Sequence, residues 1–168
     1  MGILNKEFEI VQNKALGAGL LFKFCTGYME SHITNNPIPL PLLYLVLPIV
    51  LHEETEKIIA STQMISGLRM AANKFLESKT AKNDLLLAIN QRSVLMRDLT
   101  TRSLSIALAY KLLAMNVSSA HVMPFGIKIP DSKIPKSVLS LYKSSYKLGN
   151  WFSSLTLQEI AVTLKVVF

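Results

Sequence analysis

The chain reads as a mainly α-helical, compact single domain over residues 1–168, with one small β-hairpin. Three features point there. Apolar residues recur at helical spacing over most of the length, as in Leu16, Leu20, Phe24 and Tyr28. One uncharged run, Pro37 to Leu51 (PIPLPLLYLVLPIVL), has to be enclosed by protein or lipid. A single irregular β-like stretch, residues 120–129, carries Val122, Phe125, Ile127 and Ile129 around Pro124 and Gly126.

Residues 3–12 alternate in part and read as an edge strand or an extended lead-in. Asn13 is placed to cap a helix that begins near Ala15 and ends near Ser31, with one strongly buried face flanked by Leu21 and Cys25. Gly17 and Gly19 weaken its first turns and admit another backbone. Residues 34–37 form a loop. Pro41 suits the first turn of the next helix, where its missing N–H costs nothing, and Pro48 kinks or ends that helix. The run is shorter than the ~20 residues of a bilayer span, so it reads as the central buried helix. Residues 52–62 start acidic, matching a helix dipole. Residues 66–77 are amphipathic, with Leu68, Ala72 and Phe75 on one side, and residues 79–83 break the pattern.

A long helical region then runs from Asp84 to about Met115, with a break near Asp98 or Thr100, and exposes Arg92 and Arg97. After a turn at 116–119 and the β-like stretch, residues 130–133 turn again. Pro135 is placed to start a helix at 136 with a stripe of Val138, Leu141, Tyr142, Ser145, Leu148 and Phe152. Thr156 and Glu159 fit a capping box for a last helix, and Lys165 to Phe168 looks β-like.

Half of the residues are hydrophobic and only 17% are charged, which leaves too little polar surface for a free-standing monomer and points to an interface with another chain. The net charge is +7 and lies wholly in residues 82–168, where eleven basic groups face four acidic ones. That half either meets something anionic, nucleic acid or an acidic protein, or is a plain solvated basic face. Lys128, Lys133, Lys136, Lys143 and Lys147 are the candidate contact residues, and Trp151 and Phe152 the candidate interface anchors. Core packing is the competing role for the two aromatics. The lone cysteine, Cys25, excludes an internal disulfide, the first residues do not form a secretory signal, and a reducing cytoplasm fits.

Reactive constellations are missing. His32, His52 and His121 are widely spaced and have no companion cysteines; the HEETE at 52–56 lacks the second histidine of a zinc-protease helix. The glycines at 17 and 19 lack dinucleotide-turn spacing, and no phosphate-cradling lysine loop occurs. Asp131 and Lys133 resemble part of a metal-dependent nuclease site, yet too few carboxylates stand near, and a turn explains them. The chain is therefore expected to be no enzyme and to need no cofactor or metal. Residues 154–166 resemble the first helix of a helix-turn-helix pair, but no recognition helix follows. The β-hairpin and the lysines of 128–147 are placed to touch phosphates without reading bases.

Four stretches in order, NKALGAGLLFKFCTGY at 13–28, PLPLLYLVLPIVLH at 39–52, SGLRMAANKF at 66–75 and GNWFSSLTLQEIAVTLKVVF at 149–168, resemble the middle component of bacterial three-component ABC-ATPase systems. The resemblance implies a winged-helix-like, non-catalytic adaptor. Its partners would be a coiled-coil ABC ATPase of the SMC or recombination-repair type and an effector, in antiphage defence of which the Menshen type is one. It implies no catalytic residues and no membrane, and leaves DNA contact and a homo-oligomer open. The competing class is a stand-alone winged-helix DNA-binding regulator acting as a homodimer.

Overall fold

The structure is a computed structural model and describes residues 13–78 and 85–168. The segments expected at 3–12 and 79–83, and the Asp84 boundary, lie outside the described residues.

Helix α1 (Lys14–Ser31) is the axis. The Asn13 side chain accepts a hydrogen bond from the Leu16 N–H at 2.9 Å, the cap its position predicts. Leu16, Leu20, Leu21, Phe22, Phe24, Cys25 and Tyr28 are all buried, so the helix is enclosed on more than the single face expected. It packs most broadly on α7 (Leu139–Ser153) and α6 (Arg97–Ala109). The proline-flanked run forms α2 (Leu40–Val50), also deeply buried, with Pro41 in its first turn. Pro48 sits in the last turn, two residues before the end, and Leu51 closes the helix by donating to the Leu47 carbonyl at 2.9 Å. The most apolar run is thus core, while α1 rather than α2 holds the centre.

The α1–α7 seam is closed by glycines that single-residue reading passes over. A Cβ on Gly27 would overlap the Tyr146 carbonyl oxygen, and one on Gly149 would overlap that of Phe24, so the two backbones touch. Ser145 Oγ donates across the seam to the Leu20 carbonyl at 2.6 Å, and the Phe24 and Phe152 rings meet edge to face at 5.4 Å. Gly17 and Gly19, expected to admit a backbone, instead make room for the Ser103 and Tyr142 side chains.

Helix α3 (Glu53–Ser61) follows α2, and a short 3-10 turn at Met64–Ser66 leads into α4 (Gly67–Glu77), whose Leu68, Ala72 and Phe75 are buried as expected. Helix α5 (Leu85–Leu95) breaks from α6 at Met96, slightly before the predicted position. Helix α6 stops at Ala109, not near Met115. Lys111 takes a left-handed conformation (φ 56°), its N–H bonds the Leu108 carbonyl, and the Leu112 N–H bonds that of Ala107. This paired closure satisfies the last carbonyls of α6 without a glycine.

Residues beyond it form strands. β2 (Leu113–Asn116) pairs antiparallel with β3 (His121–Pro124), and β3 pairs with β1 (Ile38–Pro39), giving the order β1-β3-β2. Leu113 and Met115 carry a period-2 pattern that also fits the end of a helix; the ladder to β3 decides between them. The hairpin turns at 117–120, one residue from the turn expected at 116–119, and its first strand lies before that turn rather than within 120–129. Ile38, Val122 and Leu113 seal the sheet onto the core.

Helix α7 begins at Leu139, three residues later than expected, after a turn in which Val138 donates to the Pro135 carbonyl. Helix α8 (Leu157–Leu164) has the predicted capping box, with Thr156 and Glu159 bonded in both directions. Its end repeats the closure of α6: Lys165 is left-handed, and Val166 donates to the Ala161 carbonyl. The final residues are thus not a strand. Among the described residues no helix is long and apolar enough to cross a membrane.

A candidate basic interface

The five predicted lysines do not act as one cluster. Lys136, Lys143 and Lys147 line one cavity of about 370 Å³ with Leu139, Ser140 and Ser144. Lys128 lines a different groove of about 830 Å³, where the segment at 125–130 runs beside Phe22, Met29 and Tyr146. Lys133 lies exposed at the end of a 3-10 turn, Asp131–Lys133, the turn foreseen for these residues.

Their chemistry also differs. Lys147 is half-buried and its ammonium donates to the carbonyls of Ile59 at 3.0 Å, Ala60 at 3.1 Å and Thr62 at 2.8 Å. Those carbonyls stand at the end of α3, that of Ile59 shared with the Thr62 N–H at 3.2 Å, so Lys147 caps that helix from another part of the chain. Burial lowers its pKa, with Glu56 opposing that shift. Lys143 lies 3.9 Å from an Asp131 carboxylate oxygen, an exposed and weak pair. Lys128, Lys133 and Lys136 are exposed. Glu56 Oε1 accepts from two of the lining residues, Ser140 at 2.6 Å and Ser144 at 2.9 Å, which brings a carboxylate next to the cavity.

Trp151 and Phe152 are 2% and 0% exposed and lie in the core of this chain. The Trp151 indole donates to the Met64 carbonyl at 2.7 Å, and Phe152 is spent on Phe24. Folding α7 onto α1 and against the 3-10 turn at Met64–Ser66 has already removed both rings from solvent.

The potential nucleophile and bases serve local roles. Cys25 is fully buried, and the apolar surroundings push its thiol pKa up. His52 Nδ1 caps α3 by accepting from Thr55, and burial lowers its pKa. His32 stacks on Tyr28 and accepts from the Thr34 N–H at 3.2 Å. His121 bonds the Ser119 carbonyl at 2.6 Å. Among the described residues no group of three or more His, Cys, Asp or Glu side chains is arranged to hold a metal ion.

One cation departs from expectation. Arg92, predicted exposed, has its three guanidinium nitrogens enclosed and, among the described residues, without a hydrogen-bond partner. Burial lowers its pKa to about 10, against a smaller opposing effect of Glu54. The spacing held a signal: Leu85, Ile89 and Arg92 follow one helical stripe, and the first two are buried.

The described residues thus form a mainly α-helical chain with a small three-stranded antiparallel sheet. The family model of Middle Component 3 of the ABC-three component (ABC-3C) system matches residues 1–168, and the chain belongs to that family. No curated protein and no solved structure matches the chain.

Proposed function

We propose that the protein is a non-catalytic adaptor that bridges a coiled-coil ABC ATPase and an effector in bacterial antiphage defence. The family match over residues 1–168 carries this reading. The local engagement of Cys25, His32, His52 and His121 supports it. The mechanism is differential contact: the adaptor binds one state of the ATPase better than another and passes that bias to the effector. Lys128, Lys133 and Lys136 are the cations of the basic half best placed to meet DNA or an acidic partner, with Lys143 beside them. Lys147 contributes by fixing the surface they stand on. The adaptor works in the cytoplasm.

The test is co-expression with the two companion components, followed by co-purification. The adaptor reading expects stable association with both and no nucleotide or nucleic-acid turnover by the chain alone. Turnover by the isolated chain, or failure to associate with either companion, overturns it.

A second reading, a winged-helix DNA-binding homodimer acting alone, is favoured by one observation. The strand between the first two helices pairs with the second strand of the later hairpin, giving the order β1-β3-β2. A salt titration on duplex DNA separates the two. A stand-alone DNA binder binds tightly at low salt and loses affinity steeply as salt rises.

A further inference from the structure

Four separated parts of the chain meet at one surface depression of about 290 Å³: the start of α2, the last turn of α5, the start of α6 and the residues after α8. Leu40, Leu45 and Phe168 supply apolar walls, and Tyr44 is held at the side by a 3.1 Å hydrogen bond to Thr101. Val167, 85% exposed, lies over it, tied to α5 by its N–H to Asn90 Oδ1 at 3.4 Å. Next to the lining residues in sequence, Val94 is 56% and Leu95 81% exposed. Exposed aliphatic side chains scattered singly need no explanation; several around one depression mark a contact surface.

The charge at this site narrows what fits. Arg97 lines the depression, is exposed, and its guanidinium has no hydrogen bond or ion pair among the described residues. The neighbouring carboxylate, Asp98, is already held by Arg102 at 2.8 Å. The site therefore presents an apolar hollow with an unmatched cation, and its complement is an apolar side chain with a carboxylate within reach. A second copy of the chain fits poorly. A two-fold contact centred here would set one Arg97 against the other, and none of the lining side chains is an acid.

We propose that this depression docks a segment of a companion component, which inserts an apolar side chain and pairs a neighbouring Asp or Glu with Arg97. The proposal rests on the adaptor reading, and it shares no residue with the lysine-bearing surface. It gives the chain a second, chemically distinct grip.

The experiment uses the full chain and each full-length companion, with affinities measured for the wild type, Arg97→Glu, Arg97→Gln, Val167→Asp and, as a control on the other surface, Lys136→Glu. Because these side chains are exposed, thermal midpoints of the free variants should match the wild type. Arg97→Glu and Val167→Asp are expected to weaken binding to one companion by at least about tenfold, with Lys136→Glu leaving that companion unaffected. Arg97→Gln should also flatten the salt dependence of that binding, an effect that lost packing would not produce. Wild-type affinity in both Arg97→Glu and Val167→Asp overturns the proposal while leaving the adaptor reading intact. A wild type that binds neither companion overturns the adaptor reading and the proposal with it. A change of oligomeric state on sedimentation, with companion binding unaltered, assigns the depression to a second copy and overturns the proposal.

Discussion

The α1–α7 seam and the α5–α6 side of the molecule are both made of helices packed on a common core, yet their polar groups fare differently. Along the seam, buried Ser145 donates to the Leu20 carbonyl, and glycines at 27 and 149 let the backbones touch; on the side of α7 facing α3, buried Ser144 donates to Glu56. On α5 and α6, the Arg92 guanidinium and the Thr100 and Ser103 hydroxyls are enclosed with no hydrogen-bond partner among the described residues, and Val94, Leu95 and Tyr110 stand exposed. Unpaired buried polar groups cost free energy, charged ones most. The seam is finished by this chain alone. The other side is less optimised for the chain's own stability, and it borders the depression assigned to a companion.

The strongest attack on this contrast is Gly149→Val. The obstruction is the Phe24 carbonyl, which cannot rotate aside, so the penalty should exceed the ~1–3 kcal/mol usual for overpacking. Loss of cooperative urea unfolding, or of soluble protein, is the expected result. A wild-type midpoint would show that the seam tolerates separation.

Lys147→Met keeps the aliphatic stem and removes three charge-assisted bonds to the end of α3. It should lower stability by about 1.5–3 kcal/mol in urea titration. No change would mean that water replaces the cap, leaving Lys147 available to an outside anion.

Arg92→Met reverses the sign. Removing an uncompensated enclosed cation should raise stability by about 1–2 kcal/mol, read as a higher thermal midpoint. The pH logic agrees. The folded pKa of about 10 lies below the ordinary arginine value, so charged Arg92 opposes folding throughout the neutral range, and that opposition fades only as pH rises through about 10. A destabilised variant would reveal a partner for Arg92 and erase the contrast.

The smallest effect sharpens the α5 side through α8, which packs on it. Thr156→Ala removes the cap and should cost about 1 kcal/mol at pH 7. Glu159 has its pKa lowered, first by the Thr156 backbone bond. Its contribution is present above the unfolded carboxylate value and fades as pH falls through the folded one. The gap between variant and wild type should therefore narrow in acid, as measured by thermal midpoints at descending pH.

Features whose cause lies within a few residues were readable from the chain. Asn13 as a cap, Pro41 in a first turn, the Leu68–Ala72–Phe75 stripe and the Thr156–Glu159 box each depend on neighbours along one helix. The mainly helical class and the burial of the Pro37–Leu51 run followed from hydrophobic period and absent charge. Family membership was legible in the order of four stretches.

Other outcomes depended on partners far along the chain. Leu113–Asn116 became a strand because β3 and the distant β1 complete a ladder, satisfying backbone groups that a longer α6 would have satisfied internally. Two lysines, at 111 and 165, end helices in a conformation that composition would assign to glycine, because the closing bonds back to Ala107 and Ala161 hold them there. Lys147, a candidate contact residue by sequence, caps a helix 85 residues away, and Trp151 and Phe152 lie in the core. Residue type and spacing determine which segments can form a helix and which face is apolar. Only the assembled chain decides which cation is spent on an internal carbonyl, which is enclosed without a partner, and which, like Arg97, remains for another molecule, because those outcomes depend on distances between groups that sequence order does not constrain.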